Sequence, residues 1–492
     1  MFCEEKLNLN FTKPKVFKFN AFDAPQNSDK EESEVEANKP VLTYNFSCGQ
    51  GKLTSGYGVR ELQMPTSTTD LEAESVIPVS GEEVRALWSF TWYESASDEL
   101  KYYLFYFNEL NKFCYDNIFN VRPMTLSINS QFTSTPVGIN YRINGLDYML
   151  FSAADCNTFV FGNHYQQYLE NAPKLISLCA HNDKLFAITA SARRSLVYTD
   201  NLNILEWDEE QTQKLEFSDD RGNLTKVISF DDYLYVFREF GITKISTYAT
   251  SGELNASHIF QSSSYIYPGS IASDGENIYF MTRDGFYKFN GAKVSRIELN
   301  MFNLFEDNSH CNAICFESKY LLACCIDFND GQTLGCEAAE SGYINNAIFI
   351  YNIASGKVEL LRGIDVKQLL ALNNPYKCKV VMCFNNANIG KLGELVENGQ
   401  VFGVASHKAW VSPMTDFGLG DKVKRVEKFN IKTNCSCKVT ITTEKTSREF
   451  VISAKNMLQH IRAGVTGRNF KFKIETDCGA GAEISNFQVS VR

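Results

Sequence analysis

"SIASDGENIYFMTRDGFYKFNGAKVSRI" spans residues 270–297 and places Asp274-Gly275, Asp284-Gly285 and Asn290-Gly291 inside one short stretch. Asp-Gly and Asn-Gly pairs supply the positive φ that tight hairpin turns require, so all three glycines are expected there. The runs between them, 278–281, 286–289 and 293–297, are too short for a stable helix and are rich in Ile, Tyr, Phe and Val. With 270–273 in front, the reading predicts four short antiparallel strands in a row. The run 278–281 is apolar without alternation, as in a strand covered on both faces. A meander stacked between two others is a β-propeller blade. A meander in a sandwich has the same local pattern, so repetition must decide.

The pattern repeats. "NAPKLISLCAHNDKLFAITASARRSLVYTDNLN" (171–203), "TKVISFDDYLYVFREFGITKIST" (225–247), 311–361 with an insertion near 328–345, and 368–395 share the same order of strand, turn, apolar strand and turn. Segments 84–117 and 138–163 fit more loosely. The apolar second strand recurs at Tyr148, Leu185, Tyr233, Ile278, Tyr320 and Val380, at intervals of 37, 48, 45, 42 and 60 residues. Propeller repeats run at about 40–50 residues and bury their faces only by stacking. The fold class is therefore all-β: a degenerate propeller of about seven blades (range six to eight) across 84–412, followed by a small antiparallel β-sandwich. Residues 41–62 are expected to supply a strand that closes the ring.

The expected organisation is an aromatic arm and acidic tether over 1–40, the propeller over 41–420 and a basic sandwich over 421–492. Residues 23–40, "DAPQNSDKEESEVEANKP", are acidic and poor in apolar side chains, as in a flexible tether. Phe11, Phe17, Phe19 and Phe22 precede it. They read either as an arm docking on a neighbouring subunit or as a strand returning onto its own domain. Charge changes sign along the chain: residues 421–492 hold 14 Lys or Arg against 7 Asp or Glu, and residues 1–420 hold 34 against 51. In the last segment Phe470, Phe472 and Ile474 fall on one strand face and Lys471 and Lys473 on the other. Lys424, Arg425, Lys471 and Lys473 are the candidate basic contact surface.

No apolar run of transmembrane length and no basic-then-apolar leader is present. Fifteen irregularly spaced cysteines read as free thiols of a reducing compartment. Chemistry-bearing motifs are absent: no Cys-x-x-Cys pair, no His-Glu-x-x-His, no phosphate loop and no Gly-x-Ser-x-Gly. The stretch 327–337, "DFNDGQTLGCE", has acidic residues around a glycine but lacks the calcium-loop pattern. The sequence points to no enzyme, no cofactor and no metal. A glycosidase needs an acid and a nucleophile converging at one site, and no signature for that pair appears.

The chain order resembles the packaged-DNA stabilisation and tail-nozzle proteins of tailed bacteriophages. The residues that carry the resemblance are "GYGVRELQMP" at 56–65 and, above all, Trp410-x-Ser412, Thr415-Asp416-Phe417-Gly418, Lys424-Arg425, Gly467-Arg468-x-Phe470 and the closing strand 484–491. The acidic tether departs from that pattern. The resemblance implies a structural virion protein: a homo-oligomeric, hexameric ring in the tail below the portal and adaptor. Such a ring continues the DNA channel, helps retain packaged DNA until ejection, and lets it pass without sequence-specific contact or any membrane partner. The alternatives are a glycan-binding or glycan-cleaving tail propeller and a cytoplasmic propeller scaffold.

Overall fold

The computed structural model describes residues 14–19, 22, 39–65, 74–76, 82–94, 97–117, 126–143, 145–162, 165–182, 184–199, 207–247, 254–299, 301–332, 334, 340–373, 378–386, 388–420 and 422–492. The chain is all-β and divides into two compact units. The larger comprises 59–357 and 361–396; the smaller comprises 1–58, 358–360 and 397–492.

In the larger unit, six four-stranded antiparallel meanders follow one another among the described residues. Their first strands are Val84–Glu94, Val137–Ile143, Leu175–His181, Leu224–Phe230, Ala272–Ser273 and Asn312–Phe316. A seventh sheet orders Val366–Asn373, Cys378–Phe384 and Gly393–Val396, then takes Gly58–Glu61 from far upstream as its next strand. The recurring apolar strand of the sequence is the second strand of the second to seventh sheets. In Ile278–Thr282 every residue is buried, because side chains of neighbouring sheets cover both faces.

Successive sheets touch through their first strands, except the fourth and fifth, which meet through a shared core. The shared cores pair the first sheet with the second, the second with the third, the third with the fourth and the fourth with the fifth. Tyr320 of the sixth sheet reaches Ser270, ahead of the fifth, donating from its hydroxyl to the carbonyl at 2.7 Å. Val366–Asn373 of the seventh then packs on Val84–Glu94 of the first, with Leu87, Leu104 and Tyr106 buried against Leu372, Val381 and Cys383.

The first strands share one local device. Four of them are bulged near the start, at Val84/Ala86, Leu175/Ser177, Leu224/Lys226 and Val366/Gln368. A bulge re-aims the side chain that follows it. Ser177 Oγ accepts from Val227 N at 3.1 Å, and Lys226 Nζ donates to Ile271 O at 2.7 Å. Gln368 accepts from Leu87 N at 2.8 Å and donates to Leu87 O at 2.9 Å. Asn312 Oδ1 likewise accepts from Leu369 N at 2.7 Å. Side-chain-to-backbone bonds from first strands thus join the third sheet to the fourth, the fourth to the segment ahead of the fifth, the sixth to the seventh and the seventh to the first.

The quoted turns hold with one correction. Gly275 and Gly291 have φ of 93° and 85°, and Asp274 and Asn290 cap their turns through Oδ1. Gly285 is not at positive φ. Its turn is held by Thr282 Oγ1 accepting from Asp284 N, and a Cβ at Gly285 would lie 2.8 Å from Arg296 Nε.

The smaller unit is sandwich-like. One sheet orders Phe46–Gly49, Lys52–Ser55, Glu483–Val491, Lys424–Thr433 and Lys455–Gly467, with Lys15–Lys18 also on Glu483–Val491. The other orders Leu42–Tyr44, Lys408–Val411, Phe470–Thr476, Cys437–Thr443 and Ser447–Ile452. Alternation drives this layering: Phe470, Phe472 and Ile474 are fully buried, while Lys471 and Lys473 on the opposite face are half-buried. The unit takes strands from 15–55 and 408–411, so its limits differ from the expected boundary at 420.

Replacing Gln368 with Leu removes both bonds to Leu87 and leaves a backbone donor and acceptor unpaired in a buried seam. The expected cost is about 1–3 kcal/mol, read as a lower melting temperature. An unchanged melting temperature would show that the seam holds without these bonds.

Candidate functional site

In an antiparallel meander, the connection from second to third strand and the exit from the fourth emerge at the same end. Backbone bonds tie these connections together: Phe240 N to Arg221 O at 3.0 Å, Asp327 N to Leu304 O at 2.8 Å and Asn385 N to Asp365 O at 2.9 Å. Four buried charged side chains of the larger unit, Arg238, Glu340, Arg362 and Asp365, lie here. Arg238 is fully buried and clamps Asp219 with two bonds of 2.6 and 2.7 Å. Burial pushes the Asp219 pKa up, but the bonds from Arg238 and Arg221 outweigh it and hold the group down at about 2. Fully buried Asp365 accepts from Ile344 N, Asn345 N and the amides of Asn385 and Asn386.

A cavity of about 300 Å³ opens at this end, lined by Glu306, Cys325, Asp327, Asp330, Glu340 and Arg362 among others. Arg362 is buried, gives Glu340 a bidentate pair at 2.9 and 2.8 Å, and meets Asp330 at 2.8 Å. Its guanidinium lies 4.0 Å from the Phe328 ring centroid. The described acidic residues of the stretch 327–337, Asp327 and Asp330, are spent on structure. Asp327 and Asp330 cap their own turns by accepting from Asn329 N and Gln332 N, and Asp330 also holds Arg362. Among the described residues no group of three or more His, Cys, Asp or Glu could hold a metal ion. Beside the cavity's sheet neighbours, Phe240, Tyr265 and Tyr267 form an edge-to-face ladder with centroids 6.3 and 5.7 Å apart, and Phe240 is exposed.

The sequence-predicted residues lie in the smaller unit, except Phe11, which falls outside the described residues. Phe17 is half-buried, 4.6 Å from the Phe417 ring. Phe19 is buried against Trp410, Phe472 and Phe487, and Phe22 is fully buried edge-on to Trp410 at 5.3 Å. Burying each ring contributes about 1.5–3 kcal/mol. Of the two readings of this segment, the described contacts are those of a strand returning onto its own domain.

The basic surface needs correction at Lys424. That side chain is buried and donates from Nζ to Gly420 O and Arg468 O, so it satisfies loop carbonyls and presents no charge to a partner. Arg425 is exposed, Lys471 is half-buried, and Lys473 pairs with Glu475 at 2.7 Å. The Trp-x-Ser and Asp-Phe-Gly motifs also have structural work. Trp410 sits in the core, Ser412 Oγ accepts from Phe472 N at 2.9 Å, and Asp416 accepts from Gly418 N and Gly420 N.

Sequence reasoning missed one constellation. His407 Nδ1 lies 2.6 Å from Asp477 and its Nε2 3.3 Å from Glu475, while Lys473 and Lys438 also meet Glu475. Burial pulls the His407 pKa down, but its bonds to Glu475 and Asp477 outweigh that and raise it. Burial raises Glu475, yet His407 and Lys473 bring it down to about 2. Seventy residues of sequence separate His407 from Asp477, so no local spacing could reveal the pair.

No protein-family model and no curated protein matches this chain. Solved structures similar to it include BBS1N in complex with ARL6DN, soaked with mercury, at 9% identity and a TM-score of 0.42, covering 68% of this chain and 96% of that one. The lead-soaked form gives 10% identity and the same TM-score, covering 68% and 97%. The extracellular domain of the putative hybrid two component system BT4673 from B. thetaiotaomicron aligns at 10% identity with a TM-score of 0.40, covering 73% of this chain and 42% of that one.

Two outcomes follow from these geometries. Arg362→Met strands two carboxylates in a buried site, with an expected loss of about 3–5 kcal/mol; denaturant unfolding monitored by fluorescence reads it, and a wild-type midpoint would refute it. The His407 contribution is full below its ordinary pKa of about 6.5 and fades as pH rises through the raised folded value. The Glu475 contribution is present above its unfolded pKa and fades as pH falls toward about 2. The melting-temperature advantage of wild type over His407→Gln should therefore peak between about pH 4.5 and 6.5. A difference that stays constant up to pH 9 would contradict this.

Proposed function

We propose that the larger unit is a seven-bladed β-propeller and that the protein is a structural subunit of a phage-tail ring. The observation that supports the propeller most strongly is the packing of the seventh sheet's first strand on the first sheet's, joined by the Gln368–Leu87 bonds. A fourth strand drawn from Gly58–Glu61 suits a ring whose last blade is completed by the start of the chain. Buried Glu394 on the strand Gly393–Val396 binds Arg60 of that upstream strand and meets Lys379 at 2.6 Å. The buried charged groups described at the loop end are committed to one another or to backbone, which suits a scaffold better than a reaction centre. The place in a virion rests on the resemblance carried by 410–491. Within it, Trp410, Ser412 and Asp416 hold the sandwich together, as a shared linker would.

In this reading the ring lets DNA pass without gripping it. Residues 1–420 carry a large acidic excess. Part of the basic excess of 421–492 is already satisfied within the sandwich, by Lys424 on carbonyls and by Lys438 and Lys473 on Glu475. Phosphate binding needs free cations that release counterions. A second reading, a glycan-binding tail propeller, is favoured by the Phe240–Tyr265–Tyr267 ladder near an open polar cavity. A glycan array bound through that ladder, and lost in Phe240→Ala, would favour it.

Light scattering and negative-stain electron microscopy test the ring: a six-fold assembly supports it, and a monomer at micromolar concentration overturns it. Mobility shift at about 0.1 M salt tests the channel. Little or no duplex binding is expected; sub-micromolar, steeply salt-dependent binding lost in Arg425→Ser/Lys471→Ser would overturn the passive role.

A further inference from the structure

The segment ending at Phe22 is joined to the smaller unit by little backbone and much side chain. Lys15–Lys18 pairs with only the last part of Glu483–Val491, in the register Lys15↔Val491 to Lys18↔Gln488, and one more bond runs from Phe19 N to Phe487 O at 2.9 Å. Val16 and Lys18 face outward, while Phe17, Phe19 and Phe22 enter the core. The same edge of Glu483–Val491 is taken by Lys52–Ser55 only at 483–485. Beyond that, residues 488–491 offer a strand edge beside a slot walled by Trp410, Phe417, Phe472 and Phe487. An edge with adjoining side-chain pockets is the arrangement that accepts an added strand.

Sixteen residues, 23–38, separate this segment from Lys39, and they hold six carboxylates against one lysine. Their reach at full extension is about 50 Å. The contacts above are made by the strand edge of Lys15–Lys18 and by the rings of Phe17, Phe19 and Phe22, so an identical segment from another copy carries the same groups for the same slot. We propose that the segment 14–22 is an exchangeable strand, and that in the assembly each copy fills the slot of its neighbour. This rests on the ring reading. Exchange of an identical element is a low-cost route to association, and donation from each subunit to the next is a head-to-tail contact that closes into a ring.

The test places cysteines at the paired positions in the full chain, Lys18→Cys with Gln488→Cys, and oxidises with oxidised glutathione. Each disulfide formed releases two molecules of reduced glutathione. The single variants report any linkage through the native thiols. A ladder of covalent multimers on a non-reducing gel, ending at the mass given by light scattering, is the expected result. Internally linked monomers inside an intact multimer overturn exchange and leave the ring standing; a monomeric wild type overturns both. A second variant, Phe19→Ala/Phe22→Ala, is expected to keep its β circular dichroism and fall to monomer mass. An unchanged multimer overturns the proposal.

Discussion

The larger unit depends on how one sheet's innermost strand is tied to the next. A twisted four-stranded meander has two faces to cover and two edges to protect. Here the faces are covered by neighbours, and the inner strands are linked by side chains bonded to the adjoining backbone. The bulges at Val84/Ala86, Leu175/Ser177, Leu224/Lys226 and Val366/Gln368 make this workable. Each breaks the local alternation, and the last three turn a polar side chain, Ser177, Lys226 or Gln368, toward the next sheet. Ser177, Lys226 and Gln368 differ in chemistry but do the same job, because what is needed is any hydrogen-bonding group that reaches a backbone N–H or C=O.

That arrangement also explains where charge resides. The second strands and the sheet faces are apolar, so most buried charge gathers where strands end and connections cross. Arg238 and Arg362 are the extreme cases, both buried, each with carboxylates supplied by a neighbouring loop. Such pairs contribute little net stability, since desolvation offsets much of the attraction. Their geometry still pins long connections, as Arg362 pins the one around Asp330 and Glu340 to the last strand, Val358–Arg362, of its own sheet. The sandwich places charge in the same way: His407, Glu475 and Lys473 meet at strand ends, and Lys408 is buried with its Nζ donating to Gly399 O, Ser406 O and Cys478 O. Burial holds that lysine down at about 8.

Much of this was legible in the chain. The strand at Ile278–Thr282 and its counterparts announce themselves by apolar runs between turn residues, because burial on both faces is a local compositional demand. Inward Phe470, Phe472 and Ile474 follow from the two-residue period of a strand. The thirteen-residue strand Lys455–Gly467 was less legible, since its first four residues are all exposed and alternation begins only at Gln459. Gly285 misled because a glycine after aspartate looks the same whether or not its turn demands a positive φ.

The amino-acid order by itself determined that the chain is all-β, that its meanders recur at nearly regular intervals, and that its last segment is an amphipathic, basic set of strands. These properties depend on residues within a few positions of one another. Tertiary structure alone decided that Gly58–Glu61 joins a sheet more than three hundred residues downstream, that Phe19 and Phe22 fill the sandwich core, and that Lys424 faces carbonyls rather than solvent. The physical reason is common to all three. A strand edge, an apolar slot and an unpaired carbonyl each accept any partner of the right chemistry, and which segment arrives is settled by long-range packing rather than by local sequence.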